Sequence, residues 1–90
     1  MVQRFDDERE VEATVRACLR DVLGIDPARV AAFDESTRLF GALPEFDSMA
    51  TAGFLAEIEE RLAIRVDEID GEALATFGSL MAFILPRALR

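Results

Sequence analysis

The sequence predicts an all-α fold: a four-helix bundle of three longer helices and one short one, with a long first loop. Three observations carry this. Apolar residues recur at helical spacing in three separate stretches. No stretch alternates apolar and polar residues as a half-buried strand does. Ninety residues, 51% of them hydrophobic, are enough for one core and no more.

The first helix is expected from Asp6 to Leu23. Val11, Val15, Cys18, Leu19, Val22 and Leu23 lie on one face of a 3.6-residue repeat. Asp6 or Asp7 caps its start, Glu8 and Glu10 suit the positive end of the helix dipole, and Gly24 ends it. Residues 25–47 then form a connection of a length that usually has a function. Pro27 fits the first position of a helical turn over Pro27–Ala32. The remainder is expected to be a loop pinned to the core, because Phe33, Leu39 and Phe40 would be costly to leave in water.

The second long helix is expected from Ser48 to Leu62, with Asp47 or Ser48 as its cap. Phe54, Leu55, Ile58 and Leu62 form its buried stripe, with Ala52 beside them. Gly53 in its interior costs about 1 kcal/mol relative to Ala, which suggests a close neighbour. After a polar loop at residues 67–71, a short helix is expected over Glu72–Ala75. The last helix should run from Phe77 to Leu85, capped by Thr76, with Phe77, Leu80, Met81 and Ile84 inward and Pro86 ending it.

Charge narrows the function. The chain carries 18 acidic and 10 basic residues, a formal −8, and every basic residue is Arg. No cationic cluster is present to bind nucleic acid or an anionic membrane. The expected partners are basic proteins. With no His and Cys18 as the single cysteine, a disulfide within the chain, a zinc site and Cys–His catalysis are all excluded. The opening MVQRFDDEREVE lacks the apolar core of a secretory signal, and no apolar run is long enough to span a bilayer. A cytoplasmic monomer without membrane insertion is expected.

The segment that carries chemistry is Leu39-Phe40-Gly41-Ala42-Leu43-Pro44-Glu45-Phe46-Asp47-Ser48-Met49, running into the second long helix. A serine there lies beside unpaired backbone N–H groups and the positive end of the dipole, a favourable place for an attached phosphate. Alone, Asp-Ser before a helix reads as an N-cap. An unmodified helical module that binds a partner helix in an apolar groove also fits such a chain. No set of residues offers an acid–base constellation for an enzyme.

In its context the segment resembles the acyl carrier proteins, whose second helix opens on Asp-Ser-Leu or Asp-Ser-Met. Glu57-Ile58-Glu59-Glu60-Arg61-Leu62, the acidic loop at Val66–Gly71 and Thr76-Phe77-Gly78-Ser79-Leu80 follow in the family's order. The resemblance covers residues 11–84. It implies an acyl-carrier-like bundle, one carrier domain over residues 1–90 and no catalysis of its own. Ser48 would bear 4′-phosphopantetheine taken from coenzyme A, with Asp47 and Met49 beside it. A phosphopantetheinyl transferase would install the arm, an acyl-loading ligase or synthase would charge it, and acyltransferases would unload it.

Between Asp47 and Glu72 stand eight acidic residues and two basic ones, so this segment holds −6 of the charge. By the resemblance, Glu57, Glu59, Glu60 and Glu68 are the partner-recognition candidates. Phe54, Leu55, Ile58, Ile69, Leu74 and Ile84 are candidates to line an acyl pocket. One departure stands out: Ala50, Thr51, Ala52 and Gly53 replace the acidic first turns of many fatty-acid carriers, which implies a specialised carrier. The phrase LFGALPEFDSM looks most like carriers associated with exosortase and exopolysaccharide systems. A peptidyl or aminoacyl carrier is the alternative, although its usual Gly-Gly before an aliphatic-Ser pair is missing here.

Overall fold

Helix α1, Glu8–Leu23, begins where the Asp7 carboxylate accepts the Arg9 N–H. It stops at Gly24, whose φ of 67° is the left-handed conformation that glycine adopts without a Cβ penalty. The structure, a computed structural model, describes residues 7–89; Asp6, the other candidate cap, lies outside the described residues. Val11, Val15, Cys18 and Leu19 are buried as the stripe predicts, and Val22 and Leu23 pack against the same core.

Helix α2, Pro27–Ala31, is the short helix, with Pro27 at its start and Asp26 capping the Ala28 N–H at 3.1 Å. Helix α3, Ser48–Leu62, has the expected bounds. It lies along α1, tied there by Arg61, which pairs with Asp21 at 3.1 Å and with Glu57 at 2.7 Å. Its buried face is Thr51, Phe54, Ile58 and Leu62, with Leu55 partly buried. Ala52, expected on that face, is exposed. Thr51 takes the place because its hydroxyl donates to the Asp47 carbonyl at 2.6 Å and so can be buried. Gly53 needs no close neighbour, since a Cβ there would stand 3.7 Å from Val22 Cγ1, an ordinary contact.

Two expectations near the end are corrected. Residues 72–75 form turns rather than a helix. Their polar groups are drawn off by the Asp70 side chain, which caps the Ala73 N–H, and by pairing with the long loop. Helix α4, Phe77–Ala88, continues through Pro86 instead of stopping there. Proline removes one N–H bond, but the extra turn buries Ala88 completely and packs Leu89 on the core, which offsets that loss.

The long loop is pinned by backbone as well as by the Phe33 and Leu39 side chains, whereas Phe40, expected to be covered with them, is exposed. Leu39 N–H donates to the Ala75 carbonyl at 2.8 Å, Phe40 N–H to Leu74 at 3.1 Å and Phe77 N–H to Thr37 at 2.8 Å. At Gly78 a Cβ would lie 2.7 Å from the Glu35 carbonyl oxygen, so this approach requires glycine. Leu39 and Phe46 are buried from the loop side, and Phe46 meets Phe54 edge-on with centroids 5.4 Å apart. Among the described residues no helix is long and apolar enough to cross a membrane.

Candidate functional site

The approach to α3 is a sequence of local hydrogen bonds ending on a buried anchor. Ala42 and Leu43 N–H groups donate to the Leu39 carbonyl at 3.0 and 2.9 Å, and Phe46 N–H donates to Leu43 at 3.0 Å. Phe46 is 2% exposed. With one side chain buried, the next two residues face outward, and both Asp47 and Ser48 are exposed. Glu45 adds a second fastening: its carboxylate accepts from Arg29 Nη1 of α2 at 2.7 Å. That hydrogen bond holds the Glu45 carboxyl below the usual carboxylate range.

Asp47, not Ser48, is the cap of α3. Its Oδ1 accepts the Ala50 N–H at 2.8 Å. Its carbonyl accepts both the N–H and the hydroxyl of Thr51, at 2.8 and 2.6 Å. Ser48 is therefore the first helical residue, and its hydroxyl has no hydrogen-bond partner among the described residues. The N–H groups of a helix's first residues lack intrahelical acceptors, so this exposed hydroxyl stands in a field that favours an anion. The residues fit a phosphodiester joined at Ser48 Oγ.

Met49, the next residue, is 86% exposed, against 39% for Phe40, the other exposed large apolar side chain described. Between Ser48 and Glu57 the helix carries no charge. The surface beside Ser48 is small, neutral and marked by one prominent thioether.

The four acidic recognition candidates separate into two pairs. Glu57 is held by Arg61 at 2.7 Å, and Glu59 Oε2 accepts the Val66 N–H at 2.9 Å, bracing the chain as it leaves α3. Glu60 and Glu68 are exposed and have no side-chain partner among the described residues. The bracing role of Glu59 is not visible in sequence, because seven residues and a change of direction separate it from Val66. The Thr51 contact leaves a fainter signal: a hydroxyl four residues after an N-cap can reach that cap's carbonyl.

The proposed pocket residues all belong to the hydrophobic core or pack against it. Phe54, Ile58 and Ile84 are fully buried, Leu74 is 7% exposed, and Leu55 and Ile69 lie partly buried against the core. Cys18 is also in the core, and burial pushes its thiol up from the ordinary range, which disfavours a reactive thiolate.

Residues 13–84 match the family model described as a phosphopantetheine attachment site, a span from within α1 to within α4 that includes Ser48. The solution structure of the holo acyl carrier protein from Nitrosomonas europaea is similar to this chain, with a TM-score of 0.75 and 36% sequence identity. The match covers 87% of this chain and 94% of that one. No curated protein matches.

Proposed function

We propose that Ser48 bears the arm, starting from the fact that this chain belongs to the phosphopantetheine attachment-site family. Membership makes it a carrier protein of the acyl carrier type with a covalent 4′-phosphopantetheine, and not an enzyme. The single observation supporting Ser48 is its hydroxyl, exposed and without a partner among the described residues at the start of α3, where Asp47 has taken the capping role. In the attachment, the Ser48 Oγ–phosphorus bond forms as the pyrophosphate link of coenzyme A breaks and adenosine 3′,5′-bisphosphate leaves. The transferase receives the Ser48 proton, so the carrier needs no base of its own. The arm supplies a terminal thiol on which an acyl group is held as a thioester.

This chain's own residues would present, orient and recognise. Phe46 and the Arg29–Glu45 pair fix the loop that presents Ser48. Asp47 has a second carboxylate oxygen to offer to the transferase's metal or to coenzyme A. Met49 gives partners an apolar contact beside the arm. Glu60 and Glu68 are the freest carboxylates for basic partner surfaces, whereas Glu57 and Glu59 serve the fold first. The neutral turns between Met49 and Gly53 suit enzymes other than a general fatty-acid synthase, in a cytoplasmic pathway of the exopolysaccharide type that the LFGALPEFDSM phrase resembles.

The test is incubation of the full chain with coenzyme A and a broad-specificity phosphopantetheinyl transferase. Intact mass should rise by one arm, and Ser48→Ala should show no rise. A gain that persists in Ser48→Ala would move the attachment elsewhere. Loading the holo form from acyl or aminoacyl donors then separates the acyl role from the aminoacyl one.

A further inference from the structure

We propose that this carrier has a second docking surface, a groove between α1 and α4 that takes a basic amphipathic segment of a partner protein. It shares no residue with the segment from Leu39 to Met49 or with α3, and the proposal does not depend on which hydroxyl bears the arm. Among the described residues, a groove of about 600 Å³ opens between the first turns of α1, residues 33–35 and α4. Its apolar floor is Phe33, Phe77, Met81 and Leu85, with the Phe33 and Phe77 rings edge-to-face at 6.3 Å. Gly78 and the exposed Ala82 keep its α4 wall low.

Charge selects the occupant. Glu8, Glu12, Asp34 and Glu35 line the groove against a single cation, Arg16, a local balance of −3. Arg16 is already committed: it pairs with Glu12 at 2.8 Å, donates to the Val30 and Phe33 carbonyls and lies 4.6 Å from the Phe77 ring centroid. Asp34 is likewise engaged, accepting the N–H and hydroxyl of Ser36 at 2.9 and 2.8 Å. Glu8 and Glu35 have no side-chain partner among the described residues, so they remain to meet incoming cations.

Apolar side chains on this floor with Arg or Lys over Glu8 and Glu35 satisfy both features at once. A second copy of a chain with a formal charge of −8, an anionic lipid surface or a nucleic acid would be repelled. A partner held here would leave Ser48 free, so the loaded arm would face its enzyme at raised effective concentration.

The experiment titrates the ¹⁵N-labelled full chain with a short synthetic helical peptide that has Leu on one face and Arg and Lys flanking it. Amide shifts are expected in residues 8–16, 33–35 and 77–85, weakening as salt is raised. Ala82→Trp, at an exposed position, should fill the groove and abolish those shifts. The Glu8→Gln/Glu35→Gln pair, at two exposed positions, should weaken binding by roughly 2- to 30-fold, the scale of two exposed ion pairs. Ser48→Ala and Glu60→Gln should bind as the parent does. The proposal is overturned if shifts fall on residues 57–68 instead, if a Gln-for-Arg/Lys peptide binds equally well, or if the double variant keeps full affinity. It is also overturned if sedimentation shows a dimer that Ala82→Trp abolishes, since the groove would then be occupied by a second copy.

Discussion

At the start of α4, Ser79 is enclosed in its own cap. Its hydroxyl accepts the Thr76 N–H at 3.1 Å and lies 2.8 Å from the Ala73 carbonyl, while its N–H donates to Thr76 Oγ1 at 3.0 Å. At the start of α3, the Ser48 hydroxyl has no partner among the described residues, and the Asp47 carboxylate caps the Ala50 N–H. Each helix opens with an N-cap and a nearby serine, yet one hydroxyl serves the fold and the other is surplus to it. Register makes the difference. A hydroxyl at the third helical position can reach back to the cap's N–H, as the capping box requires, whereas one at the first position has no part in that box. A serine is available as an attachment point when the residue before it has already done the capping.

Ser48→Ala tests the difference between the two serines most severely. It should lose arm attachment completely, read as intact mass, while its stability stays within about 0.5 kcal/mol of the parent in a thermal melt. Marked destabilisation would mean that the hydroxyl serves the fold after all. Thr76→Ala should do the opposite, costing about 0.5–2 kcal/mol of stability through the lost cap and leaving attachment complete. Asp47 lies between the two. Asp47→Ala should cost about 1 kcal/mol and slow attachment, and Asp47→Asn should restore the stability because an amide oxygen also caps. If Asp47→Asn restores the attachment rate as well, measured as mass gain over time, then Asp47 acts as a cap and not as a charge.

The parts of the fold that were legible in sequence are those fixed by local chemistry. The α1 stripe, the Gly24 stop, the Asp47 and Thr76 caps and the limits of α3 each follow from residues within one or two turns. Pro86 misled because its local penalty is set against burial of Ala88 and Leu89, which depends on what α4 packs against. Glu72–Ala75 failed for the same reason, since Leu74 and Ala75 give their carbonyls to Phe40 and Leu39, 34 to 36 positions earlier in the chain. At the site, the Asp47-Ser48-Met49 tripeptide was readable. The division between engaged Glu57 and Glu59 and unengaged Glu60 and Glu68 was not, because it is made by Arg61 and by the turn to Val66. The groove beside Arg16 was invisible, being assembled from three distant segments.

The smallest predicted effect concerns how the two helix starts are held in place. The start of α4 is stitched to the long loop by backbone bonds, including Phe77 to Thr37 and Gly78 to Glu35. The approach to α3 rests on Phe46 and on the Arg29–Glu45 pair. Glu45 has a folded pKa below its ordinary value because it accepts the Arg29 hydrogen bond. A depressed carboxyl contributes stability fully above its unfolded pKa, about 4.3, and loses that contribution as pH falls through the folded value. Arg29→Gln should therefore raise the Glu45 midpoint, followed by NMR of its carboxyl carbon, and lower the melting temperature slightly at neutral pH. The difference in melting temperature should close once the pH is below the depressed midpoint of the parent. Attachment should still reach completion, because Phe46 continues to hold the loop and only its second fastening is gone. A Glu45 midpoint that does not move in Arg29→Gln would leave Phe46 as the sole anchor of the Ser48 approach, widening the contrast with the stitched entry of α4.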